Sequence, residues 1–444
     1  MARRPKPANV GTSQFPPATP RPLRLRMQVL FTGALVGQAI PLLLSPILTR
    51  LYDPTAFGAL ALLTALVSVL QCVSTGRYHQ AIVIPRDDQE GILIAKLALA
   101  VAVAVSATVT ALLIVMKFVA LEESPLGVLG WWVLAAPVGG LLGAIADVGV
   151  AYNVRNDRAG TVAAATGIRA AGAGLAQIIL SWEPGQKEGL ISGNFVGLAL
   201  GNQALFRALR TRFVAEKLTW NKARVIASRY RRFPLFDTWG TLANIASYSL
   251  LVIGVAALYS ADTAGQYSLA YRTLTLPLAI LGTAVAQLLM KEFALRLDGP
   301  SLTRSFDRAT LLLATVSLPA FVLAYFLLEP LFAIIFGDEW RAAGAFAAAM
   351  APLNAVRLVV SPLSVVYTVA ERQLGLMFIQ FGFLAATVLA LIVGHAREFD
   401  ALEVIYLHTA FAIPVYLTAG VTARLVARSR TTLSRAKPQS ANGG

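Results

Sequence analysis

The sequence predicts an all-α polytopic membrane protein of about twelve transmembrane helices, arranged as two six-helix lobes related by a pseudo-twofold axis along the membrane normal. Three observations carry this fold class. Of 444 residues, 57% are hydrophobic and 14% charged, with a mean hydropathy of +0.66; a soluble domain of that composition would expose apolar patches and aggregate. The apolar residues come in blocks of about twenty or more, the length that spans roughly 30 Å of hydrocarbon. The basic residues gather in alternate loops, as they do where loops face the cytoplasm.

Residues 1–26 hold six prolines and six Lys or Arg, which predicts a disordered basic arm. Arg3 and Arg4 form a twin-arginine pair, but the apolar run starts too late after them for a signal peptide, so the first span is expected to be retained. The first lobe, 27–209, contains spans at 27–49, 56–76, 91–118, 126–151, 160–182 and 189–209. The loop 210–237 is the longest, and it is strongly basic. The second lobe, 238–428, contains spans at 238–259, 263–289, 309–336, 342–370, 373–394 and 402–426, followed by a tail, 429–444. The third, ninth and tenth spans are long enough to tilt or to project beyond the bilayer.

With the N-terminus inside, thirty of the 38 Lys and Arg residues lie in or beside cytoplasmic segments, five lie in the opposite turns and three lie within spans. That asymmetry favours a single orientation, with both termini cytoplasmic. It also accounts for the sequence pI near 10.2 without nucleic acid, for which no basic region carries a recognisable motif.

The turn between the first two spans, "LSPILTRLYDPTAFG" (44–58), carries its own instructions. Arg50 and Tyr52 suit the membrane interface. Asp53 is a good N-cap and Pro54 fits a first helical turn. The turn also recurs: a shift of 207 residues lays Leu51-Tyr52 on Leu258-Tyr259, Gly58 on Gly265, Gly33 on Gly240 and Leu35 on Leu242. Six spans per repeat is an even number, so the halves share one orientation, and a substrate path is expected between them. Prolines at 41, 46, 137, 277, 319, 352, 362 and 414 fall within spans and can act as kinks or hinges. Gly193, Gly197 and Gly201 form a GxxxGxxxG face suited to close helix packing.

Charges inside spans are expensive, at least about 2.5 kcal/mol for a central arginine. Arg272 lies deep in the eighth span beside Tyr267 and Tyr271, Arg357 near the middle of the tenth, and Arg169 in the fifth. Asp147 lies near the inner end of the fourth, while Lys96 and Asp237 sit near inner ends. Two explanations stand: a water-filled cationic cavity built for an anion, or buried arginines paired with Asp147 or with backbone carbonyls. No carboxylate cluster, nucleophile elbow or P-loop is present, so neither an enzyme nor an ATP-driven pump is expected. The single cysteine, Cys72, lies in an apolar run and reads as a small core residue; His79, His395 and His408 lack metal-ligand spacing.

"SPILTRLYDPTAFG" with "TGRYHQAIVIP", and "RRFPLFDTWGTLANIASYSLLVIG" with "AGQYSLAYRTLTLPLAILGTAVAQ", resemble bacterial polysaccharide exporters, the Wzx-type O-antigen flippases of the multidrug/oligosaccharidyl-lipid/polysaccharide exporter superfamily. The resemblance implies flipping of an undecaprenyl-diphosphate-linked oligosaccharide across the bacterial inner membrane for O-antigen, capsule or exopolysaccharide synthesis, with a polymerase and a chain-length regulator as partners. It carries family identity, though no proven role, onto Arg50, Arg77 and Arg272. Together the two lines give a candidate site for diphosphate and sugar of Arg272, Arg357, Arg77, Arg169, Arg50 and Tyr271. No cofactor is expected. Proton or sodium coupling stays open, with Asp147 and Asp237 as candidates. The rival readings are a peptidoglycan lipid II flippase, a cation-coupled drug exporter, which should want cavity acids, and a membrane enzyme of sugar-lipid synthesis, which should show a catalytic cluster.

Overall fold

The computed structural model describes residues 23–119, 124–182, 187–207, 213, 216–296, 301–370, 372 and 374–436. The expected arm up to residue 22, part of the central loop and the tail from residue 437 lie outside the described residues. The first half contributes α1 (Leu23–Leu51), α2 (Pro54–Ser74), α3 (Asp88–Val119), α4 (Ala135–Arg155), α5 (Ala159–Ile179) and α6 (Lys187–Phe206). A short basic helix, α7 (Trp220–Arg229), leads into the second half. That half holds α8 (Thr238–Leu258), α9 (Ala261–Leu295), α10 (Leu302–Phe336), α11 (Arg341–Leu363), α12 (Leu374–Ala396) and α13 (Ala401–Ala436).

Among the described residues, 11 helices are long and apolar enough to cross a membrane. The exception is α6, which has 20 residues but is diluted by Asn194, Asn202, Gln203 and its glycines. Its environment explains the polarity, because it packs inside its lobe against α4 and α5. Asn202 Nδ2 donates to Leu142 O at 2.9 Å, so this amide faces a neighbouring helix rather than lipid. The predicted fourth span is also divided. Residues Pro125–Leu134 are 3-10 in character and kink at Gly130, whose φ of 56° suits a residue without Cβ. Pro137 therefore falls in the first turn of α4, where it forfeits no helical hydrogen bond.

The turn between α1 and α2 forms as its residues predict. Asp53 caps α2 by accepting from the Ala56 amide at 2.7 Å. Its counterpart 207 residues later is capped by Ser260, which accepts from the Thr263 amide at 3.1 Å.

The weak sequence repeat is a packing repeat. In the first half α1 pairs with α5, α5 with α6, α2 with α4, α3 with α4, and α4 with α6; in the second, α8 pairs with α12, α12 with α13, α9 with α11, α10 with α11, and α11 with α13. Residues matched by the shift do the same work. Gly33 lets α1 approach α5 at Ala163, and Gly240 lets α8 approach α12 at Gln380 and Met377. Tyr52 donates to the carbonyl of Gln177 near the end of α5, at 2.6 Å. Tyr259 donates at 2.6 Å to the carbonyl of Phe399, just beyond α12. The glycine face of α6 serves packing: a Cβ on Gly197 would sit 2.5 Å from Arg169 O of α5.

The lobes meet chiefly along α2, which packs on both α8 and α9. The largest buried apolar cluster straddles this seam, with Leu62 and Ala65 of α2 against Val252 of α8 and Leu269 of α9, and with Trp340 and Ala347 beyond.

Candidate functional site

The seam is sealed at the end that carries Tyr52. A Cβ on Gly58 would lie 1.8 Å from Ala261 O, and one on Gly265 would lie 1.9 Å from Pro54 O. These contacts are reciprocal, since 54 and 261 are also mates under the 207-residue shift. Only glycine allows the two helices to approach so closely. Trp340, fully buried, stacks edge-on against Phe57 at 4.9 Å, and its Nε1 donates to Thr49 O at 3.1 Å.

Beneath this seal lies a cavity of about 250 Å³ between the lobes. The first lobe supplies Pro41, Leu44, Phe57, Thr64, Gln177 and Asn194; the second supplies Tyr248, Ser268 and Arg272. Arg272 stands eleven residues into α9, about 16 Å along the helix and so near mid-membrane. No Asp or Glu lines the cavity, and among the described residues no carboxylate forms an ion pair with Arg272. Asp147 does not pair with Arg272 or Arg357: its Oδ2 accepts from Gln71 Nε2 at 3.0 Å inside the first lobe, where the charges acting on it are those of Arg77 and Arg169.

Tyr248 forms the wall between this cavity and the interior of the second lobe. Its ring stacks on Tyr271 at 4.1 Å, with Tyr267 6.1–6.4 Å from both. Behind the stack is a chamber of about 90 Å³ lined by Tyr267, Tyr271, Asn354, Arg357, His408 and Tyr416, among others. Arg357 also borders a cleft of about 310 Å³ between α9 and α11. Arg272 and Arg357 thus face two different spaces with an aromatic partition between them.

The other candidates lie apart from the cavity. Arg50 is exposed at the sealed end. Arg77, with a left-handed φ of 59°, pairs with Asp237 at 2.8 Å and ties the lobes at the opposite end. Arg169 is exposed on α5, although its neighbours Ala170 and Ala173 line the cavity. Beside Arg77, His79 Nδ1 lies 2.7 Å from Thr75 Oγ1. Burial, reinforced by the Arg77 charge, pushes the His79 pKa down to about 4. Among the described residues, no group of three or more His, Cys, Asp or Glu could hold a metal ion.

Sequence reasoning missed Tyr248, His408 and Tyr416. The repeat carried a signal for the first: Tyr248 is the mate of Pro41, and Ser268 the mate of Ala61, and all four line the inter-lobe cavity.

A family model described as "Polysaccharide biosynthesis protein" matches residues 47–345, spanning both lobes and the seam. The chain belongs to this polysaccharide biosynthesis protein family. A comparison with curated protein sequences finds no match. Among solved structures, the family member is similar to an inward-facing multidrug resistance MATE family transporter of the MOP superfamily, with TM-score 0.68 and 13% identity over 93% of this chain and 98% of that one. It is similar to the lipid II flippase MurJ in an inward closed conformation, with TM-score 0.66 and 13% identity over 93% and 91% of the two chains. An outward-facing MATE transporter superposes with TM-score 0.54 and 12% identity over 93% and 96%. At these identities the likeness establishes the MOP-superfamily fold.

Proposed function

We propose that this polysaccharide biosynthesis protein is a flippase that moves a polyprenyl-diphosphate-linked oligosaccharide from the cytoplasmic to the outer leaflet of the bacterial inner membrane. The observation that carries the reading is Arg272, an unpaired guanidinium in an acid-free cavity between two lobes at mid-membrane depth. Guanidinium suits diphosphate through bidentate, charge-assisted hydrogen bonds. The sugar head needs such a cavity because its hydroxyls would otherwise lose water without gaining partners.

The distribution of Lys and Arg puts the Arg77 end in the cytoplasm and the Tyr52 end outside. The cavity is then shut toward the outside, as a loading state requires. α1 and α9 both line the cavity yet make little contact with each other, so the polyprenyl tail can remain in lipid on that side while the head is enclosed. Separation of the Gly58–Gly265 seam would open the cavity outward. With a negative interior, outward movement of an anionic head is downhill by about 2.3 kcal/mol per charge per 100 mV, so ATP is not required. An acid-free cavity disfavours a cation-coupled drug exporter.

The test uses proteoliposomes holding labelled polyprenyl-diphosphate oligosaccharide, with headgroup exposure to an impermeant probe as the readout. The native protein should accelerate exposure, and Arg272→Ala should slow it at least tenfold. No acceleration by folded native protein with several glycan heads sinks the flippase reading. Acceleration confined to a peptidoglycan-type head would move the assignment to lipid II.

A further inference from the structure

We propose that the second lobe holds a binding site for a small monovalent inorganic anion, of the size of chloride or bromide, centred on Arg357. The site is the chamber behind the Tyr248–Tyr271 stack, separate from the inter-lobe cavity in which Arg272 stands.

The argument begins with charge. Arg357 lies sixteen residues into α11, about 24 Å along the helix, and a guanidinium cannot shed its proton. Neither space that it borders contains an Asp or Glu, and among the described residues it forms no ion pair. Arg357 is half-buried, and a charge withdrawn from water without an opposite charge is costly, so it calls for a counter-charge that the protein does not supply.

The surroundings match an anion. Tyr267, Tyr271 and Tyr416 stand around the guanidinium, with Tyr271 in side-chain hydrogen-bonding reach. Tyrosine hydroxyls and the amides of Asn244 and Asn354 can all donate. His408 lines the same chamber, and its Nδ1 is buried with no hydrogen-bond partner. Buried polar atoms are normally satisfied, and a donor at Nδ1 would be satisfied by the same anion.

The chamber measures about 90 Å³, room for a halide with a water or two. The cleft of about 310 Å³ between α9 and α11 reaches Arg357 from the other side. The Tyr248–Tyr271 stack keeps the ion apart from the lipid-linked cargo.

The test is thermal unfolding of the purified full chain, with sodium chloride exchanged for sodium gluconate at constant ionic strength and no glycolipid present, so its outcome does not depend on the flippase reading. Chloride and bromide should raise the melting temperature saturably, as ligands of the native state do. Arg357→Gln should abolish the rise and Arg272→Ala should keep it. Should Arg357→Gln fail to fold, Tyr416→Phe should weaken half-saturation several-fold. The proposal is overturned if native protein shows no halide-dependent rise. It is also overturned if the rise survives Arg357→Gln, if it is lost in Arg272→Ala, or if Tyr416→Phe leaves half-saturation unchanged.

Discussion

Substituting Gly58 by alanine should push the transporter out of the state sealed at the Tyr52 end. The new Cβ would lie 1.8 Å from the carbonyl oxygen of Ala261, where real Cβ contacts essentially never fall below 3.0 Å. The obstacle is backbone on a helix of the other lobe, so it cannot turn aside as a side-chain tip can; the lobes must part by roughly an ångström. Overpacking of this kind costs about 1–3 kcal/mol. Alanine also gains about 1 kcal/mol of helix propensity over glycine, but α2 is helical in both states, so that gain cancels in the equilibrium between them. The net bias against the sealed state is then about 5- to 150-fold. The assay is a distance measurement between spin labels at positions 50 and 341, which are exposed on opposite lobes at the sealed end, in a background with Cys72 replaced. Gly58→Ala should move the distribution to longer separations, and Gly265→Ala should do the same, because its Cβ meets Pro54 O in the reciprocal contact. Unchanged distances in both variants, with the protein folded, would refute the seam as a gate. A loss of melting temperature without a change in distance would reduce it to ordinary packing.

Two further outcomes follow from the opposite end. Arg77 and Asp237 are partly exposed, at 16% and 45%, so neutralising either should cost no more than about 1 kcal/mol. Arg77→Asp or Asp237→Arg alone should cost more, and the double reversal should recover most of the melting temperature; additive losses would dissolve the pair. His79 ordinarily titrates at 6.5 but is held near 4 in the folded chain. The unfolded chain therefore takes up a proton between those values that the folded chain refuses, so stability falls as pH drops from about 6.5 toward 4. The loss attributable to this group is on the order of 3 kcal/mol, and His79→Gln should flatten the decline in melting temperature across that window.

Much of the fold was legible because the bilayer imposes a coarse rule: apolar stretches of fixed length, separated by polar turns. That rule placed twelve spans, the sixth at 189–209 where α6 lies; of these helices α6 alone falls short of a spanning composition among the described residues, since a helix packed within its own lobe can carry Asn194 and Asn202. The 207-residue shift was legible from Gly58, Gly265 and the two Leu-Tyr pairs. The glycines recur where backbones approach too closely for any Cβ, and the tyrosines where each ties its helix end to a carbonyl of its own lobe.

The candidate site was legible only in its deepest charge. Arg272 stood out by the cost of burying it, and it does face the inter-lobe cavity. Arg77, brought into the candidate site by the resemblance rather than by depth, commits its charge to Asp237, 160 residues away. Tyr248 gave no charge signal and forms the partition between the two spaces.

By itself, then, the sequence determined the solvent, the number of lobes and the turn chemistry of "RLYDP", because hydrophobic length, capping and steric demand are local properties. Tertiary structure alone decided which arginine meets which space. Asp147 bonds Gln71, Arg77 meets Asp237, and Arg272 and Arg357 are divided by a tyrosine stack. The partner of a long cationic side chain depends on what distant helices bring within a few ångströms of it, and no local pattern encodes that.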